Sequence, residues 1–197
     1  MNFDDGVKRL ADHRRQIVTI RDAMREVQQA IEPQPVDDYV FRSQAGEVRL
    51  SQLFGRHRDL LMVHNMGSSC AYCTLWADGY NGVYDHLVSR ASFVLSSPDE
   101  PDVQARFRAS RDWRFPMVSH VGSHFAQDMG YRSESGGFLP GLSVFRLGAG
   151  RIVRVSASGS DVRDDFCSLW HLFDLLPEGA AGWQPRFRYD HAATSER

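Results

Sequence analysis

Two cysteines separated by two residues, Cys70-Ala71-Tyr72-Cys73, are the most chemically suggestive feature of this 197-residue chain. They follow an apolar run, Leu60-Leu61-Met62-Val63-His64, and a polar loop, Asn65-Met66-Gly67-Ser68-Ser69. Leu75, Val83, Leu87 and Val88 then mark a helix over residues 70–89, with an irregular middle suggested by Gly79 and Gly82, so Cys70 is predicted at a helix start. Unpaired N–H groups and the helix dipole favour a thiolate there. They should lower the Cys70 pKa below the free value of about 8.5. Cys73 lies one turn further on, placed to resolve a mixed disulfide formed on Cys70. The expected roles are an exposed, acidic nucleophile at Cys70 and a buried resolving thiol at Cys73. Alone, a C-x-x-C is a weak signal; after a strand and at the head of a helix it is a fairly strong one.

Other chemistry competes with this reading. The two cysteines can be buried and inert, or half of a metal site. A structural zinc commonly takes two such pairs. The third cysteine, Cys167, lies among Phe166, Leu169 and Trp170 and reads as a small buried apolar side chain. His64 precedes the motif by six residues, and His120 and His124 are spaced i, i+4. Val118, Gly122 and Ser123 argue against a clean helix around that pair. Zinc or copper(I) held by the cysteines with these histidines is the runner-up function. A non-catalytic scaffold is the third.

The composition is that of a water-soluble domain, with 42% hydrophobic and 24% charged residues. A net charge of −2 disfavours nucleic-acid binding through a basic surface. No apolar run reaches the length of a membrane span. The N-terminus lacks a basic start followed by an apolar stretch, so no secretory signal is expected. Three cysteines make no disulfide framework, and a reducing cytoplasm is the expected compartment.

The elements that must position the cysteines follow from periodicity. Val7, Leu10, Ile17, Ile20, Met24, Val27 and Ile31 form one face of a helix over about residues 6–31, stopped by Pro33 and Pro35. Packing on the main body is the plain reading of that face; a partner or a homodimer is the sharper one. Residues 39–50 read as a hairpin, after which Ser51 caps a short helical turn. The run at 60–65 should be an internal strand flanked by parallel neighbours. A strand at 92–96 and a helix at 101–112 follow, and residues 116–130 read as a strand end plus loop. Residues 142–147 and 151–155 form a hairpin around Gly148-Ala149-Gly150. Phe166, Leu169, Trp170, Phe173 and Leu176 mark a closing helix ended by Pro177. The expected divisions are an N-terminal helical extension at 1–36, a core domain at 37–180 and a tail at 181–197.

This order resembles the thioredoxin fold: a three-layer α/β/α architecture with a central mixed sheet, here with an added N-terminal helix. More specific are Leu53-Phe54-Gly55, Leu61-Met62-Val63-His64-Asn65-Met66 and Cys70-Ala71-Tyr72-Cys73-Thr74-Leu75-Trp76-Ala77-Asp78-Gly79. These, with Gly141-Leu142-Ser143-Val144-Phe145 and the ending Asp174-Leu175-Leu176-Pro177-Glu178-Gly179, resemble a bacterial family known as domain of unknown function 899. Its members are labelled predicted dithiol-disulfide oxidoreductases. The likeness spans roughly residues 8–190. It implies a cytoplasmic thiol–disulfide oxidoreductase that needs no cofactor or metal and acts on a protein or small-molecule disulfide. By similarity to thioredoxin, Pro140 should be a cis proline beside the cysteines that shapes the substrate groove. Tyr72 and Trp76 are the candidate substrate contacts, with packing as the alternative for Tyr72. Three features depart from better understood relatives. Ser69 stands where thioredoxin has Trp. Gly67 stands where a peroxiredoxin has Thr or Ser. The two-residue spacer is shorter than that of copper-delivering relatives.

Overall fold

The computed structural model describes residues 1–189; the end of the expected tail, 190–197, lies outside the described residues. Two compact units result, Met1–Gln34 and the body from Pro35 onward. The first is almost entirely helix α1 (Phe3–Ala30), started by Asn2, whose side chain accepts the N–H of Asp5 at 2.8 Å. None of its residues is buried, and Leu10, Ile17, Met24 and Val27 are exposed.

In the body, β4 (Asp59–His64) is the strand that delivers the cysteines. The other strands are β1 (Gln34–Val36), β2 (Val40–Ser43), β3 (Gly46–Arg49), β5 (Ser92–Ser97), β6 (Met117–Ser119), β7 (Gly141–Gly148) and β8 (Arg151–Gly159). They form one mixed sheet in the order β1-β8-β7-β4-β5-β6-β2-β3. The expected hairpins, β2–β3 and β7–β8, are antiparallel. The second turns through Ala149 and Gly150, both with positive φ (50° and 74°), the geometry a two-residue hairpin requires.

Because β4 is internal, its alternate side chains must be buried on both faces. Leu60 and Met62 join a core with Phe41, Phe54, Val118, Phe125 and Phe145. Val63 joins a second core with Trp76, Phe93, Phe115, Cys167 and Trp170. The first face is covered by a 3-10 turn (Leu50–Phe54) and the short helix α5 (Phe125–Asp128). The second is covered by α2 (Ala71–Gly82), α3 (Tyr84–Val88), α4 (Pro101–Ser110) and α6 (Ser168–Phe173). Trp183, from the start of the tail, packs on Trp170 and Phe173 with ring centroids at 5.7 and 5.1 Å. This is the thioredoxin-like three-layer α/β/α arrangement that the element order implies.

Several expectations are corrected. β4 has one parallel neighbour, β5, and one antiparallel neighbour, β7. Burial on both faces reports depth, and either strand direction satisfies it. The helical stretch over 70–89, whose Gly79 and Gly82 suggest an irregular middle, breaks at Val83 into α2 and α3. Residues 116–130 contain β6 and α5. The segment of Pro33 and Pro35 contributes β1, at the sheet edge, where a proline costs no ladder bond. Ser51 lies inside its helical turn, and its hydroxyl donates to Asp38 at 2.8 Å. The Leu139–Pro140 bond is trans, as are all the described peptide bonds. Trans is the intrinsically preferred isomer. Here the Pro140 carbonyl accepts the Ser160 N–H at 3.1 Å, continuing the β7–β8 pairing.

Candidate active site

The path into the site is set by the turn after β4. The Asn65 side chain accepts the Gly67 N–H at 2.8 Å, and Gly67 takes φ 110°, open to glycine. The Asp99 carboxylate, beyond β5, holds the turn through the Ser68 N–H at 2.8 Å. Cys70 then occupies the N-cap of α2 with extended backbone, and its carbonyl accepts the Thr74 N–H at 3.0 Å. Its sulfur takes the place of a capping oxygen and accepts the Cys73 N–H at 3.1 Å.

Cys70 is partly buried and Cys73 is buried, 7% exposed. All three cysteines are free. The Cys73 thiol donates to the Cys70 sulfur, and this bond, joined by the backbone N–H groups of Cys73 and Tyr72, brings the Cys70 pKa down to about 6 against the opposing pull of burial. The same bond, then burial, pushes the Cys73 thiol far up. A thiolate at Cys70 and a protonated Cys73 are two sides of one interaction. Cys167 is buried, and its thiol is pushed up mainly by desolvation.

Cys70 and Cys73 open onto a cavity of about 240 Å³ that Tyr72, Trp76 and Pro140 also line. All five candidates expected from the sequence, Cys70, Cys73, Pro140, Tyr72 and Trp76, therefore meet at one place. The far wall is Ser160, Asp161 and Val162, at the end of β8. Asp164 ties this wall to α2. It accepts the Trp76 indole N–H at 2.8 Å and the backbone N–H groups of Phe166 and Cys167 at 2.9 and 3.1 Å.

The sequence carried no local signal for Asp161, Asp164 or Tyr80 as part of this site. Tyr80 also lines the cavity; it is one helical step of four beyond Trp76, the only hint available. Its hydroxyl is buried and finds no hydrogen-bond partner among the described residues. Burial pushes its pKa up.

The histidines are scattered. His64 lines the cavity, with Nε2 at 2.9 Å from the Ser143 hydroxyl and its ring stacked on Tyr131 at 3.7 Å. Burial, followed by the charges of Arg154 and His120, holds it neutral, well below the usual histidine range. His120 bonds Ser96 at 2.8 Å, and burial, then Arg132, lowers its pKa to about 4. His124 is exposed at the start of α5. Among the described residues no three His, Cys, Asp or Glu side chains gather into a metal site.

Comparison with solved structures places this arrangement in a known fold. Peroxidoxin BcpB from Mycobacterium tuberculosis superposes with a TM-score of 0.53 at 24% identity, covering 65% of this chain and 84% of that one. A PrxQ mutant from Xylella fastidiosa gives 0.58 at 12% identity, covering 70% and 88%. Reduced Prx3 from Vibrio vulnificus, in complex with H2O2, gives 0.53 at 14% identity, covering 68% and 90%. At these identities the likeness establishes the fold. No curated protein matches the sequence. A family model matches residues 2–190, nearly the whole chain, and the protein therefore belongs to the family described as bacterial protein of unknown function (DUF899).

Proposed function

We propose that the protein is a thiol–disulfide oxidoreductase that works through Cys70 and Cys73. The observation that carries this reading is the Cys73 backbone N–H donating at 3.1 Å to a Cys70 sulfur that opens onto a cavity. The Cys70 thiolate attacks one sulfur of a substrate disulfide. The S–S bond breaks, and the first half leaves as a thiolate that takes a proton. Cys70 is then in a mixed disulfide and no longer holds the charge that kept the Cys73 proton in place. Cys73 loses that proton and attacks the Cys70 sulfur, releasing the second half. The substrate gains two electrons and two protons, and the protein is left with a Cys70–Cys73 disulfide. No bound cofactor is needed. Pro140, Tyr72 and Trp76 shape the approach to the sulfur.

The metal reading loses ground because the cysteine pair gathers no third ligand among the described residues. The names of the structural neighbours point to peroxide chemistry as the competing thiol reaction. Gly67 stands in place of Thr or Ser, and no arginine lines the cavity among the described residues. The O–O bond is left without the donors that would polarise it.

The test is single-turnover reduction of a disulfide by the reduced protein. Cys70→Ser should abolish the reaction. Cys73→Ser should accumulate a mixed disulfide on Cys70, detectable by intact mass. A Cys70→Ser protein that still reduces disulfides, or limiting iodoacetamide that reaches Cys73 or Cys167 first, overturns the assignment.

A further inference from the structure

The cavity beside Cys70 holds more than thiol exchange requires. Its wall is mainly apolar: Val63, Tyr72, Trp76 and Val162 face the same space as the sulfur. One residue in it, Tyr80, is more than nine-tenths buried (8% exposed) and carries an unpaired hydroxyl. Buried polar atoms of this kind are costly unless something bonds them. Among the described residues, Asp161 is the one charged side chain in the lining besides the Cys70 thiolate, and no arginine or lysine joins them.

We propose that this cavity seats a low-molecular-weight disulfide, one half of which is apolar, not anionic, and ends in a hydrogen-bonding group; the proposal rests on the oxidoreductase reading above. The concavity supports it first. Cys70 is only partly exposed and opens into a concave space bounded by Ser160, Asp161 and Val162, a segment that Asp164 and Trp76 tie to α2. A small molecule enters the space that wall encloses. The lining then sorts among small molecules. The aromatic side chains take the apolar stem. The Tyr80 hydroxyl takes the polar end. Asp161 repels carboxylates near the mouth and tolerates a neutral or cationic group. Cys70 attacks the sulfur of the seated half and joins it in the mixed disulfide. The other half leaves as a thiol after taking a proton, and Cys73 then frees the seated half, so the protein dithiol is oxidised and the disulfide reduced.

The test uses reduced full-length protein in single turnovers at low ionic strength. The probes are bis(2-hydroxyethyl) disulfide, cystamine, 3,3′-dithiodipropionate and native insulin. Each rate is divided by that of free 2-mercaptoethanol thiolate with the same disulfide, which removes intrinsic reactivity. The hydroxyethyl and cationic probes should lead the dicarboxylate by about fivefold or more, given one nearby unit charge with little salt screening. Insulin should trail all three. Asp161→Asn should close most of the gap between cystamine and the dicarboxylate. Tyr80→Phe should lower the rate for the hydroxyethyl disulfide about fivefold relative to that for diethyl disulfide, the scale of one hydrogen bond. The substrate assignment is overturned, with the oxidoreductase reading intact, if insulin matches the small probes, if the dicarboxylate leads, or if neither variant alters these ratios. If no probe oxidises the cysteine pair while iodoacetamide still modifies Cys70, both readings fail together.

Discussion

The Cys73 backbone N–H donates to the Cys70 sulfur at 3.1 Å, so the residue that caps helix α2 is also the acidic thiol of the site. Capping and activation are one contact. A helix that needs an N-cap acceptor gets a better one when Cys70 is ionised.

Reactivity should therefore follow an ionisation near pH 6. With a Cys70 pKa of about 6, alkylation by iodoacetamide should rise about tenfold per pH unit below that value and level off above pH 7, where about nine-tenths of the thiol is ionised. Stability has the matching sign. A thiol whose folded pKa is depressed contributes stability that is present above its unfolded value of about 8.5 and is lost as pH falls through 6. Reduced protein should have a lower urea midpoint at pH 6 than at pH 8. Cys70→Ala should lose that part of the slope, leaving only what the buried histidines contribute. A wild-type alkylation profile centred near pH 8.5 contradicts the geometry.

Removing the Cys73 side chain separates its two donations. Cys73→Ala keeps the backbone N–H but loses the leading cause of the low Cys70 pKa, which should climb toward the ordinary thiol range. Cys73→Ser retains an O–H donor and should keep it near 6. Alkylation rates of the two variants across pH 5–9 measure the difference; equal profiles show that the thiol bond is unimportant.

Gly141 opens β7 beside the site, and a Cβ there would lie 2.5 Å from the Ser158 carbonyl oxygen and clash with the edge of the Tyr131 ring. Gly141→Ala should cost about 1–3 kcal/mol in denaturant unfolding, the scale of an overpacked core. Adding Tyr131→Ala should not restore stability, since the Ser158 clash is with backbone. Full rescue places the strain on the ring alone.

Asp164 is the joint between the cavity wall and α2. Asp164→Ala strands the Trp76 indole and the N–H groups of Phe166 and Cys167, and should cost about 1–3 kcal/mol. Amide exchange should speed up over residues 160–167. Cys167, silent in the native protein, should become open to alkylation. If exchange in this segment is unchanged, the wall does not depend on that carboxylate.

Local chemistry was legible in the chain itself. The apolar Leu60–His64 run, the polar turn and the cysteine spacing are contiguous, so a strand, a helix start and an N-cap thiol could be read from neighbours in sequence. The Gly148-Ala149-Gly150 turn likewise declares its own hairpin, because positive φ is a local requirement. Strand direction was not legible. β4 accepts β7 antiparallel because the chain re-enters beside His64 at Gly141, and a run of apolar residues is equally buried by either orientation. The same holds for β1: Pro33 and Pro35 say where a helix ends, and only the free edge of β8 turns the segment into a strand. The cavity was decided at still longer range. Asp161 and Asp164 come to the cysteines from about 90 residues away, carried by β8 and held through one indole hydrogen bond. Short-range sterics and helix-end electrostatics fixed what Cys70 is. Long-range packing fixed what can reach it.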